Sequence, residues 1–254
     1  MLTIYTDSIN YAQRIQEALL PSKESLFKCF PESFILFKPR DIVSGDFYWF
    51  AETEDTYIVA AVDCTGHGIP GAFMSIIGST ILTDIVIDKK ITSPGEILTQ
   101  LNNNIIKLLK QDTEGSSSRD GMDVSISCIN KLKTKMQYSS ASRPMYYVRD
   151  GILNEVNLKN FSIGGSYEEY NKDFSAIEID LLPNDVFFLF TDGYADQFDK
   201  EDQRKFSSKR LKNLFLEISK LDSSQQDKII NSTFEDWKGD KNQIDDVTVV
   251  GFRI

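Results

Sequence analysis

Tyr57-Ile58-Val59-Ala60-Ala61-Val62-Asp63-Cys64-Thr65-Gly66-His67-Gly68 reads as a strand that ends on a carboxylate and turns through glycines towards a helix. The run from Tyr57 to Val62 is strongly β-like. From Ala72 to Ile87 the apolar residues Phe73, Ile76, Ile77, Ile81, Leu82 and Ile85 recur at helical spacing, which predicts a mostly buried helix. An aspartate at the end of a buried strand loses hydration and needs donors or cations to compensate it.

The same device recurs along the chain. Acidic residues sit in Ser44-Gly45-Asp46-Phe47, Asp120-Gly121-Met122-Asp123, Thr191-Asp192-Gly193-Tyr194-Ala195-Asp196 and Asp245-Asp246-Val247-Thr248-Val249. Two of these also abut β-like runs, Val186 to Phe190 and Val247 to Val250. One such aspartate is a cap or a turn residue; several together point to a carboxylate-lined site for hard divalent cations, which prefer oxygen ligands.

Outward from these motifs, the element order separates fold classes. Strands are expected at Phe34 to Phe37, Phe47 to Ala51 and Tyr57 to Val62, followed by the Ala72 to Ile87 helix. A second helix runs on to Leu109, with Ser93 as N-cap, Pro94 at its first position and Glu96 three residues after the cap. Gln111 to Ser118 is polar and reads as a loop. A strand-rich stretch begins at Met122, resumes at Met136 to Tyr138, and includes a hairpin turning at Asp150-Gly151 between Met145–Val148 and Ile152–Val156. Strands follow at Ile177 to Leu181, Val186 to Phe190 and Val247 to Phe252, with helices around Leu211 to Leu221 and Lys228 to Trp237 between the last two. Strands, two helices, many strands, helices and a last strand disfavour a regular βαβ repeat. The pattern fits an α+β fold of two antiparallel sheets with helices outside.

Ahead of this, Asp7 to Leu20 is amphipathic, with Ile9, Ala12, Ile15 and Leu19 at three- and four-residue steps. It packs on the domain as a surface helix or pairs with a second chain as a dimer helix, and both readings stay open. The organisation expected is an N-terminal linker or dimer helix over residues 1–21 and one domain over 30–254.

Bulk properties narrow the partners. The 254 residues carry 28 basic and 38 acidic side chains, a net charge of −10, which argues against nucleic acid or anionic lipid as the main partner. No apolar run reaches the roughly 20 residues of a membrane span, and the start has no signal-peptide pattern. Cys29, Cys64 and Cys128 form no CxxC pair, as expected for reduced thiols in the cytoplasm.

Taken together, Val43-Ser44-Gly45-Asp46-Phe47-Tyr48, the Asp63 loop running into Pro70-Gly71-Ala72-Phe73-Met74, Thr191-Asp192-Gly193 and Asp245-Asp246-Val247-Thr248 resemble the metal-dependent serine/threonine phosphatases of the PPM (protein phosphatase 2C) family. Within it they are most similar to the bacterial SpoIIE-like branch that regulates sigma factors. The resemblance covers about Phe34 to Ile254. Tyr11 to Gln16, ending at Leu20-Pro21, also resembles the linker that precedes this domain in sensor-coupled members. The resemblance implies an α-β-β-α sandwich and a binuclear Mn²⁺ or Mg²⁺ site. In it Asp63 bridges both ions, Cys64 offers a backbone carbonyl, and Asp46, Asp192 and Asp245 supply further carboxylates. Asp63 and Asp46 are the residues expected to be central to catalysis.

It further implies a phosphorylated STAS-domain anti-sigma-factor antagonist as substrate. Asp196 matches a third-ion position whose usual partner carboxylate is missing from Ser139 to Arg143. Arg40 is a candidate for holding the substrate phosphate, since guanidinium suits phosphate oxygens. His67 is a minor candidate for protonating the leaving oxygen. Asp120 and Asp123 read as turn and cap residues, and Asp246 as a structural neighbour of Asp245. Cys64 is no nucleophile here, because no second histidine and no CxxxxxR loop accompany it. A non-catalytic signalling module on the same fold, or a metal-dependent hydrolase of small phosphoesters, would fit the same residues.

Overall fold

A computed structural model describes residues 2–113, 118–158, 161–165, 173–201 and 203–254, with side chains from residue 6 onward. The middle of the expected 111–118 loop lies outside the described residues. The chain runs α1 (Leu2–Leu19), α2 (Lys23–Cys29), β1 (Ser33–Lys38), β2 (Phe47–Glu52), β3 (Thr56–Cys64), α3 (Gly68–Thr83), α4 (Pro94–Leu108) and β4 (Gly121–Asn130). It continues β5 (Lys135–Ala141), β6 (Met145–Arg149), β7 (Ile152–Val156), β8 (Ile163–Gly164), β9 (Ala176–Asp180) and β10 (Val186–Phe190). Then come α5 (Gly193–Asp196), α6 (Ser208–Ile218), α7 (Ser223–Lys238) and β11 (Val247–Arg253).

The strands form two sheets of antiparallel neighbours. One is ordered β1-β11-β10-β6-β7; the other runs β2-β3-β4-β5-β9, with β8 added to β4. The α+β sandwich of two antiparallel sheets flanked by helices is therefore the architecture found.

Side-chain alternation explains why the central strands are apolar throughout. In β3, Ile58, Ala60 and Val62 join Leu82, Ile97, Leu98 and Leu101 of the covering helices, while Val59 and Ala61 face the other sheet. In β10, Val186, Phe188 and Phe190 pack against Leu211, Leu214 and Phe215 of α6, while Phe187 and Leu189 fill the space between sheets. Phe188 stacks on Phe215 with ring centroids 4.2 Å apart. Three apolar layers result, one between the sheets and one under each helical cover.

Asp150 and Gly151 both have positive φ, 51° and 74°, as a two-residue type I′ hairpin turn requires. The last long helix starts earlier than its apolar spacing suggests, because Asp222 caps it by accepting from Gln225 N at 2.9 Å. The short helix α2 has no counterpart in the sequence reading: it spans only 7 residues and buries one side chain, Leu26, too little for a period to emerge.

One expectation changes. The segment Gly68–Asp88, α3 with its terminal π-turn, is 21 residues long with mean hydropathy 1.6, so by length and composition it could cross a bilayer. In this fold Met74, Leu82, Ile85 and Val86 bury it against the β2-β3-β4 sheet. In α1, Ile15 and Leu19 do not face the domain but are exposed, together with Tyr11. The face turned inward carries Gln16, which is 3% exposed.

Gln16 is buried because it completes backbone hydrogen bonding elsewhere. Its Nε2 donates to Ser44 O at 2.6 Å and to Ser75 Oγ at 2.7 Å, and its Oε1 accepts from Ser44 N at 3.1 Å. A helix that otherwise touches the domain lightly is thereby tied to the segment leading into Asp46. Gln16→Ala leaves Ser44 N unpaired and Ser44 O with Ser75 Oγ, 3.1 Å away, as its remaining donor, and we expect a loss of about 1–2 kcal/mol in denaturant unfolding. An unchanged midpoint would show that α1 is not held by this side chain.

Candidate active site

The alternation that builds the core also gathers the acidic residues. Asp46 and Asp63 share strand parity with the inter-sheet residues Tyr48, Phe50, Val59 and Ala61, so both lie at one end of the gap between sheets. Asp123 is the register partner of Asp63 across the β3–β4 pair. Asp192 follows β10, and Asp245 precedes β11, in the other sheet. Carboxylates from both sheets therefore meet at one rim of the sandwich.

Close backbone approaches fix that rim. A Cβ on Gly45 or on Gly71 would stand 2.3 Å from Gly66 O, so the Asp46 loop and the turn after Asp63 can touch only through glycine. A Cβ on Gly193 would come 1.9 Å from Asp246 O, which accounts for glycine after Asp192. Asp246, 2% exposed, accepts from Arg40 N and Gly45 N, each at 2.7 Å. It is the brace of the Asp46 loop rather than part of the open rim, as the sequence suggests.

A cleft of about 660 Å³ opens here, lined among others by Asp63, Cys64, His67, Asp123, Asp192 and Asp245. Asp46 lies behind it, 3% exposed, accepting from Thr191 Oγ1 at 2.5 Å. Burial raises the Asp46 carboxyl well above the usual range, and the charge of Asp63 adds to the effect. Asp63 is pushed up to about 8, chiefly by burial; the Arg143 guanidinium opposes the rise, while Asp192, Asp123 and Asp245 reinforce it. Burial also raises Asp245. Such shifts mark negative charge that the chain itself leaves under-compensated.

The donor chemistry suits hard divalent cations: every candidate is an oxygen, and the carboxylates crowd one rim. As the side chains stand, no group of three or more acidic, histidine or cysteine side chains among the described residues forms a ready metal cage. Between Asp63 and Asp192 lies the Arg143 guanidinium, with Nη2 2.6 Å from Asp63 Oδ2 and 2.7 Å from Asp192 Oδ2.

Other residues fall in and out of the site. Cys64 ends β3 with its thiol buried in the core and its pKa raised well above the ordinary value by that burial, consistent with no nucleophilic role. His67 precedes α3, exposed, with Nδ1 3.0 Å from Asp41 Oδ2. Arg40 does not line the cleft; its Nη1 donates to Ile244 O at 3.0 Å. Asp196 is turned to Lys205 Nζ, 2.9 Å away, and is outside the lining.

Asp123, read as a turn residue, is instead a strand residue of the cleft, holding Ser162 Oγ at 2.5 Å and Arg143 at 3.2 Å. Arg119 lines the cleft and Arg143 enters the cluster, and neither was singled out from the sequence. Arg143 closes the Ser139 to Arg143 stretch, from which the expected carboxylate is missing.

Comparison with known proteins agrees with this geometry. Residues 53–254 match the family "Stage II sporulation protein E (SpoIIE)". The phosphoserine phosphatase RsbU of Bacillus subtilis (strain 168) is 26% identical over 198 residues, 74% of this chain and 53% of RsbU; the chain thus spans about half the length of that curated relative. The SiaA-PP2C domain of Pseudomonas aeruginosa superposes with a TM-score of 0.89 at 29% identity, covering 100% of this chain and 98% of that domain. The PP2C phosphatase domain of SpoIIE from Bacillus subtilis, solved with a fragment of its regulatory domain, gives 0.68 at 18% identity over 88% of this chain and 63% of that one. With two thirds of its length and more matched by the family and the sandwich shared throughout, the chain belongs to the SpoIIE family of PP2C-type phosphatases.

Proposed function

We propose that the chain is a metal-dependent phosphoserine/phosphothreonine protein phosphatase whose centre is the carboxylate rim. The observation that carries this reading is the gathering of Asp46, Asp63, Asp192 and Asp245 from two sheets at one part-buried rim beside an open cleft. Asp63, with Asp192 and Asp245 from the opposite sheet and Asp46 behind, would hold two Mn²⁺ or Mg²⁺ ions with the backbone carbonyl of Cys64. Bound there, the ions supply acidity at a shared water and neutralise charge on the phosphoryl oxygens.

The chain's own residues do the rest. The Asp246 brace and the glycine contacts hold the carboxylates at fixed positions, so little reorganisation accompanies the reaction. Arg119 on the cleft wall and Arg40 outside it are the cations offered to a substrate phosphate. Cys64, buried as a thiol, is not offered to a phosphoryl group as a nucleophile. A phosphorylated STAS-domain antagonist in sigma-factor signalling is the proposed substrate, with the cytoplasm as the place of action. The exposed Tyr11, Ile15 and Leu19, at i, i+4 and i+8 on α1, are the proposed surface of a homodimer.

Hydrolysis of small phosphoesters would use the same ions, so substrate class needs its own test. O-phosphoserine and a phosphoserine STAS-domain protein share one leaving group and differ only in remote contacts. We expect kcat/KM for the protein to exceed that for the free amino acid by about a hundredfold or more, the advantage that remote binding energy provides. Equal values would assign the chain to small phosphoesters instead.

A further inference from the structure

Arg143 has no part in the chemistry above, yet it occupies the centre of the cluster. It follows Ser142, whose φ is +60°, at the end of β5. One nitrogen, Nη2, is shared by three carboxylates from three elements: Asp63 Oδ2 at 2.6 Å, Asp192 Oδ2 at 2.7 Å and Asp123 Oδ2 at 3.2 Å. The side chain is 16% exposed, and its Nε is buried with no hydrogen-bond partner among the described residues. Arg143 is therefore anchored by its tip, while the middle of the side chain makes no polar bond that would hold it in place.

Two of the three carboxylates are also proposed ligands. An oxygen engaged with Nη2 at these distances has one lone pair committed to it, and a guanidinium beside divalent ions repels them in a part-buried site. The three carboxylates are thus gathered around a nitrogen. The cleft next to Ser142 gives the side chain room to move.

We propose that Arg143 is a tethered cation that offsets part of the charge of the carboxylate cluster in the metal-free chain and surrenders its place when divalent ions bind. Metal binding is then an exchange, and Arg143 sets the threshold of metal concentration at which the site loads. The proposal rests on the metal reading given above.

The test is calorimetric titration of Mn²⁺ into the chelator-stripped full chain, wild type against Arg143→Met and Arg143→Lys. Met keeps the stem without the charge, and we expect it to bind Mn²⁺ tighter by about tenfold or more, the scale of one charge-assisted hydrogen-bonded contact. Its melting temperature in chelator should fall and its rise on adding Mn²⁺ should exceed that of wild type. Lys, which retains a competing charge, should stay near wild-type affinity.

Equal or weaker binding by Arg143→Met would overturn the exchange and leave the guanidinium beside loaded ions. Binding by neither wild type nor variant would overturn the metal reading along with it. A second measurement needs no folded variant at neutral charge: the Arg143 Nε–H resonance of the wild type, assigned by its loss in Arg143→Lys, should shift on saturation with Mg²⁺. A resonance that does not move would also overturn the proposal.

Discussion

Asp246→Ala is expected to destabilise the chain by about 2–4 kcal/mol, since it loses one buried charge-assisted hydrogen bond, which contributes roughly 1.5–3 kcal/mol, and a part-buried one that contributes less. The carboxylate accepts from Arg40 N and Gly45 N at 2.7 Å each, at a position 2% exposed. Truncation strands Gly45 N where water has little access, leaves Arg40 N to the solvent edge, and frees the loop from Arg40 to Asp46 from its brace to β11. Native stabilities of about 5–15 kcal/mol make such a loss a large share of the total. Asp246→Asn keeps one acceptor but turns an amide N–H towards the other donor, so its midpoint in urea unfolding should fall between wild type and Ala. A wild-type midpoint for Asp246→Ala would show that the loop is held by other contacts.

The sequence made the sandwich legible because its central strands are covered on both faces, so β3 and β10 are apolar throughout and easily found. Asp150-Gly151 was readable for a different reason: two successive positive φ angles demand those residue types. The rim aspartates were legible as strand-end carboxylates, but their neighbours were not. Gln16 sits on the inward face of α1 because the groups it satisfies lie 28 and 59 residues away, which no helical period encodes. Arg143 meets its partners across 80 residues to Asp63 and 49 to Asp192, a juxtaposition set by sheet topology alone. Asp123 looked like a turn residue from its glycine neighbour, whereas strand pairing sets it opposite Asp63.

Asp63→Asn should remove metal-dependent turnover while the fold survives. Asp63 is the carboxylate on which Asp192, Asp123 and Asp245 all press, and the amide exchanges a charged oxygen for a nitrogen that cannot bind a cation. If the bound ions supply several kcal/mol of transition-state stabilisation, at about 1.36 kcal/mol per tenfold the variant should lose a thousandfold or more in rate. The exchange is close to isosteric, so lost activity in a protein with a cooperative unfolding transition reports on the site itself. The direct measurement is phosphate release from a phosphoserine STAS-domain protein across a Mn²⁺ titration, wild type beside Asp63→Asn. The account predicts wild-type release that rises to saturation with Mn²⁺, disappears in chelator, and is absent from the variant at every concentration. Release that persists in chelator, release by Asp63→Asn at the wild-type rate, or none from folded wild type at saturating Mn²⁺ would contradict it.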